Sequence, residues 1–311
     1  MNRNEIIRTL TAFGERQLGK EIEACSYILQ VLDNEQIHYS IQEFDTEIPT
    51  YQHCSLMVDG EVLEVLPSGL ISGTLTNNHT ILSSLISSQK NLYDANINFN
   101  PTCTYISRSN HYFAPAFSIK KSDVQKVIDA KDIAGKLEVI KTKHQSKNIL
   151  VGNTKNPTTI IFSHYDSIGI GAVDNASGTA LSIELIAEFP ELLKLVLFVL
   201  CGNEELSYDE PIYWGHGYRC FEKEYGKLLK ATAQILVLDS FGHTKPIIFS
   251  DVSTMKLAFP ITNIATYASK TKVIAGDIDE LMQFYHAEND IPENIKDAYI
   301  EATKNVVLSF L

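Results

Sequence analysis

Apolar residues recur at helical spacing over residues 4 to 36, where Ile6, Ile7, Leu10, Phe13, Leu18, Ile22, Tyr27, Ile28 and Leu32 form one stripe. The stripe predicts one or two amphipathic helices, interrupted near Gly14 and Gly19. From about 37 to 150 the period changes. "YSIQEF", "SLMVDGEVLEVL", "LISGTL", "TYISRS" and "GKLEVIKTK" are short, β-branched and separated by turn residues, so they predict strands. Asp59-Gly60 inside an apolar alternation signals a hairpin. "KSDVQKVIDA" predicts one short helix, with Ser122 as its N-cap.

After residue 150, apolar strands alternate with amphipathic helices. "TTIIFSH" precedes a helix over 176–188, and "LKLVLFVLCG" precedes one near 216–230. "AQILVLDS", "KPIIFS", a helical stretch near 255–269, "TKVIAG" and a terminal helix from about Pro292 complete the series. Buried strands alternating with helices predict an α/β fold, a mixed central sheet covered by helices on both faces. The simplest parse assigns residues 1–38 and 147–311 to that domain. Residues 39–146 then form a smaller β-rich insertion.

In open α/β sheets, ligands bind beyond the carboxyl ends of the strands. Those ends are polar in this sequence. His164 and Asp166 follow "TTIIFS", Glu204 and Glu205 follow "LVLFVLCGN", and Asp239 closes "QILVL". Asp174 opens the helix after the first of these strands, at the position of an N-cap. His286 lies in "QFYHAEND", and Asp277 and Asp279 read as solvated turn residues. Taken one at a time, each has an ordinary explanation as a strand-end histidine, a cap or a solvated loop. Together, two histidines and several carboxylates at equivalent strand ends suit a divalent metal of zinc type. Five such groups exceed what one tetrahedral ion with an open position needs, and two ions sharing a bridging carboxylate would use them all.

Composition narrows the function without naming it. The net charge of −12, with no Lys/Arg-rich run, argues against nucleic acid or anionic membrane as partner. No apolar stretch approaches membrane-spanning length, and the N-terminal residues lack a signal-peptide core. The five scattered cysteines form no CxxC pair, which fits reduced thiols and a cytoplasmic location.

The ordered blocks "HYD", "DNASG", "NEE", "VLDS" and "YHAEND" resemble the di-zinc aminopeptidases, a family that includes leucyl aminopeptidases, aminopeptidase Y and glutamate carboxypeptidase-like exopeptidases. The resemblance covers roughly 150–311 and implies a zinc exopeptidase (phosphorylase/hydrolase-like) fold and a metalloprotease with two zinc ions per chain. Carboxylate-rich sites also take Mn or Co. It implies His164 and Asp239 on one metal, Glu205 and His286 on the other, and Asp174 bridging both. Glu204 matches the catalytic base. Asp166 matches the carboxylate that orients His164. The implied substrate is a peptide or aminoacyl amide with a free N-terminus. "HYFAPAFSIKKSDVQKVIDA" is similar to the end of a protease-associated domain, which occurs as an insertion in this family; an unrelated β insertion is the alternative.

The segment after "NEE" departs from the family pattern. "LSYDEPIYWGHGYRCFEKEYG" is longer and aromatic. Trp214, Tyr213 and Tyr285 are candidates for the wall of a substrate pocket, or for simple packing. Glutaminyl cyclases share the fold, a "HYDS"-like strand end, a Glu-Glu pair followed by a Trp-containing insertion, and a late His. They hold one zinc and have a less polar turn than "DNASG". A single-zinc cyclase is therefore the alternative, and a non-catalytic descendant is a third reading.

Overall fold

The computed structural model describes residues 2–84 and 91–311; residues 85–90 of the expected insertion lie outside the described residues. In chain order the elements begin with α1 (Arg3–Ala12), α2 (Gly19–Asn34), β1 (Tyr39–Val58), β2 (Glu61–Leu63) and β3 (Leu66–Pro67). Next come β4 (Gly73–Leu75), β5 (Thr80–Ser83), β6 (Asn96–Phe99), β7 (Ala116–Ile119), α3 (Val124–Asp129) and β8 (Ile133–Gly152). β9 (Thr159–His164), α4 (Ser177–Glu188), β10 (Val196–Cys201), α5 (His216–Ala231) and β11 (Gln234–Leu238) follow. The chain closes with β12 (Ile247–Phe249), α6 (Val252–Ala258), α7 (Ile264–Tyr267), β13 (Thr271–Ala275), α8 (Ile278–Leu281) and α9 (Asp297–Leu308).

The chain forms two compact units. The first comprises residues 1–46, 144–281 and 290–311, and the second 47–143 and 282–289. In the first unit the central sheet runs β12-β13-β11-β9-β10-β8-β1. β10, β9, β11 and β13 are parallel neighbours, while β12 and β8 join antiparallel at either side. Strand side chains alternate between two cores, as a sheet buried on both faces requires. Ile161, Phe198, Leu236 and Ile274 pack with α1, α2, α4 and α9. Ile160, Phe162, Leu197, Val199, Val237 and Val273 pack with α5, α6 and α7.

In the second unit β2 pairs with the end of β1 across the Asp59-Gly60 turn, where both residues have positive φ, 49° and 82°. That is the hairpin the sequence signals. β4 pairs with the start of β8, and a separate four-stranded sheet runs β3-β7-β6-β5. Residues 282–289 are tied into this unit. Asn100 Nδ2 donates to the Met282 carbonyl (2.8 Å), Ser107 Oγ to that of Tyr285 (2.6 Å), and Arg108 N to that of His286 (3.1 Å).

Several local expectations shift. Gly14, at φ 73°, follows α1, whereas Gly19 opens α2 rather than ending a helix. Ser122 is not a cap: it lies in a 3-10 turn, and the residue before α3 is Asp123, whose side chain makes no capping bond. The stretch near 255–269 divides into α6 and α7 around Phe259-Pro260, since proline removes an N–H and cannot continue a helix. Pro292 opens only a 3-10 turn. The final helix starts at Asp297, after Ile295 and Lys296 adopt extended angles and Lys296 N bonds the Gly242 carbonyl (2.9 Å). Among the described residues, no helix is long and apolar enough to cross a membrane.

Candidate metal centre

The site is assembled where β9, β10 and β11 end. His164, the last residue of β9, is 1% exposed, and its carbonyl accepts from Thr179 Oγ1 of α4 (2.8 Å). Its Nε2 lies 3.3 Å from Asp174 Oδ1 and 3.5 Å from Asp239 Oδ1. Its Nδ1 lies 3.2 Å from the Asp166 main-chain oxygen and 3.5 Å from Asp166 Oδ1. The Asp166 carboxylate also accepts the main-chain N–H groups of Glu204 (3.0 Å) and Glu205 (2.9 Å). One aspartate thus ties the end of β9 to the Glu-Glu pair beyond β10.

Asp174 is not a helix cap. It has non-helical angles in the turn before α4, and the residue preceding that helix is Ala176. Asn175 does the fastening instead, accepting from Gly178 N (3.0 Å) and donating to the Leu238 carbonyl at the end of β11 (2.8 Å). Ser177 Oγ bonds the Val173 carbonyl (2.9 Å). From the far end of the unit, Asp290 accepts from Val173 N (2.9 Å) and Asp174 N (3.1 Å). The ligand atoms of His164, Asp174 and Asp239 come within 4.8 Å of one another, and so do those of His164, Glu204 and Glu205.

The electrostatics of this pocket are unbalanced without a cation. Burial lowers the affinity of His164 for a proton, yet bonds to Asp166, Asp174 and Asp239 together hold its pKa well above the ordinary imidazole value. Burial pushes the Glu204 carboxyl well above the carboxylate range, with Glu205, Asp239 and Asp166 adding to the rise against His164. Asp239 is raised by burial and by Asp174, although its bond to His164 opposes this. Burial likewise pushes Asp290 up to about 7. Imidazole and carboxylate donors without thiolate, crowded in a dry site, fit divalent cations that would take the place of those protons.

Sequence reading missed three contributors. Arg16, fully buried between α1 and α2, donates through Nε to the Tyr165 carbonyl (2.6 Å), through Nη1 to Ile170 (2.7 Å) and through Nη2 to Gly171 (2.9 Å). It pins the loop that joins His164 to Asp174, and its charge is felt by Asp166, Asp290, Glu205 and Asp174. Gln17 Nε2 reaches Asp166 Oδ2 (3.3 Å). Asp290 is the third. No local pattern in "GERQLG" or "YHAEND" sets these three residues apart from ordinary surface polar residues. Arg16→Met should destabilise the protein by on the order of 3 kcal/mol or more, because each stranded buried carbonyl costs roughly 1–3 kcal/mol. Urea unfolding checks this; an unchanged midpoint would show that the loop holds without the guanidinium.

The remaining candidates have separate settings. Trp214 Nε1 donates to the Leu257 carbonyl (3.0 Å), and its ring meets that of Tyr213 edge-on at 4.8 Å. In the second unit Tyr285 stacks on His286 with ring centroids 3.7 Å apart. His286 does not sit directly before the last helix: it occupies a left-handed turn at φ 53°, with Nδ1 3.2 Å from the Arg108 carbonyl.

Comparison with known proteins shows the fold. The chain shares its fold with a zinc aminopeptidase from Bacillus subtilis, at 17% identity and a TM-score of 0.68, over 98% of this chain and 92% of that one. An aminopeptidase from Aneurinibacillus sp. strain AM-1 matches at 17% identity and a TM-score of 0.61, over 98% and 90%. A glutaminyl cyclase from Fimbriiglobus ruber matches at 11% identity and a TM-score of 0.56, over 98% and 92%. No curated protein matches the sequence. Residues 148–276, which hold His164, Asp174, Glu204, Glu205 and Asp239, match the model of Peptidase family M28.

Proposed function

We propose that this protein is a two-zinc aminopeptidase that hydrolyses the N-terminal bond of peptides or aminoacyl amides. The observation that carries the reading is the buried His164 imidazole, with Asp174 and Asp239 on one side and Glu204 and Glu205 within ligand distance. When bound, the ions polarise the scissile carbonyl and acidify the attacking water. His164 and Asp239 would hold one ion and Glu205 the other, with Asp174 available to both. His286 is assigned to the second ion by its place in the order of family motifs. Glu204 takes the proton of the attacking water and passes it to the leaving amine. Asp166 keeps the Glu204-Glu205 main chain in register with His164. A positively charged N-terminal amine is favoured by the surrounding carboxylates. Trp214, Tyr213 and Tyr285 are proposed to border the substrate side chain.

The neighbouring cyclase folds favour one rival, a single-zinc enzyme that cyclises N-terminal glutamine. Metal quantification on purified protein, together with an aminoacyl-amide panel and a glutaminyl peptide, separates the two. Two ions per chain with amide hydrolysis is the expected result. One zinc with cyclisation would replace the proposal.

A further inference from the structure

Tyr218 is the third residue of α5, and the start of that helix is bound to the strand-end segment carrying the Glu-Glu pair. Gly215 N donates to the Glu204 carbonyl and Gly217 N to that of Asn203 (3.0 Å). The contact is close enough that a Cβ on Gly217 would come 2.1 Å from the Gly202 oxygen, so only glycine permits it. The Tyr218 ring is fully buried, edge-on to Phe162 (5.7 Å) and to Phe259 (5.0 Å). Phe162 stands two residues before His164 on β9, so both side chains leave the same face of the sheet.

The ring fills core, but the hydroxyl does not belong there. Among the described residues it has no hydrogen-bond partner, and a buried hydroxyl left so is costly. The ionisable groups whose fields reach it are His164, Glu204, Cys201 and Asp239, three of them at the site. A phenol, with an ordinary pKa of about 10, is protonated at neutral pH and hence a donor.

We propose that Tyr218 is a further catalytic residue, whose buried hydroxyl donates a hydrogen bond to the oxygen that reacts between His164, Glu204 and Asp239. That oxygen comes either from the attacking water or from the scissile carbonyl. The proposal rests on the hydrolytic reading of the site. In it, the side chain that packs the core beneath the site also supplies a fixed donor at the reacting centre. Such a donor needs no reorganisation when charge develops, which is where preorganised donors act most strongly.

Tyr218→Phe keeps the ring and removes only the hydroxyl. The variant should retain its metal content, be at least as stable as wild type without metal because an unpaired buried hydroxyl is gone, and lose turnover by about 100-fold, as for one donor at a reacting oxygen. The second readout is the tyrosine ultraviolet difference spectrum when zinc alone, or zinc with L-leucine hydroxamate, is added to metal-free protein. A wild-type signal with zinc alone that the variant lacks assigns the acceptor to water. A signal lost only with the hydroxamate assigns it to the carbonyl oxygen. Identical spectra in both proteins with unchanged turnover would overturn the proposal, as would a stability loss that accounts for the fall in activity. If wild type hydrolyses no aminoacyl amide, the hydrolytic reading fails, while the spectra still decide whether Tyr218 touches an oxygen held there.

Discussion

Glu204→Gln should retain both metal ions and the fold while turnover of an aminoacyl amide falls by roughly 10²–10⁴-fold, the range for loss of a positioned general base. The amide is nearly isosteric with the carboxylate and preserves the main-chain N–H that Asp166 accepts. It has no basic oxygen for the water's proton. Substrate affinity should change little, so the loss should fall on kcat and not on KM. Metal analysis of the same preparation makes the result interpretable. An inactive variant that has lost its metal would make Glu204 a ligand, and a fully active one would remove it from the chemistry.

Removing the metal should destabilise the protein increasingly as pH rises. Asp290, Glu204, Asp239 and His164 all have folded-state pKa values above their ordinary ones in the metal-free protein. A group of that kind binds its proton more tightly in the folded state. The stability it supplies is complete below its unfolded pKa and is lost as pH rises through the folded one. For Asp290 the window runs from its ordinary 3.8 to about 7. Zinc reverses the effect, because it supplies the positive charge that the protons supplied. At a thousandfold excess over its dissociation constant, a ligand of the folded state adds about 4 kcal/mol.

Urea midpoints of zinc-loaded and metal-free protein at pH 5 and pH 8 should therefore diverge, with the larger gap at pH 8. Asp290→Asn should flatten the slope of the metal-free series. Equal midpoints for metal-free protein at the two pH values would mean that the carboxylates are not in competition for protons.

The physical cause of both results is the same crowding of acidic groups around one imidazole. The sequence shows the groups but not the crowding. "HYD" and "NEE" can be located at strand ends from the apolar runs before them, because a strand buried on both faces admits polar residues only where it stops. "DNASG" is legible as a turn, yet the N-cap position that Asp174 holds in the sequence is not a cap in the fold. The sequence rule sees a polar residue before a helix, and it cannot see that Asn175 makes the fastening bonds.

Period and composition alone determined the helical character of the start, the hairpin at Asp59-Gly60, the alternation after residue 150 and the order of the polar blocks. These are properties of neighbouring residues, and local sterics with apolar spacing are enough to set them. What only the tertiary structure decided is how those blocks are held. Arg16 lies 149 residues from the carbonyl of Tyr165, and Asp290 lies 116 from the N–H of Asp174. Tyr218 looks like one more aromatic on an amphipathic helix until its hydroxyl is found buried with no hydrogen-bond partner among the described residues. No periodicity encodes such contacts, because they arise where loops at the end of one sheet close on each other. There the energetic penalty of an unpaired buried group selects the partner, and sequence distance is irrelevant.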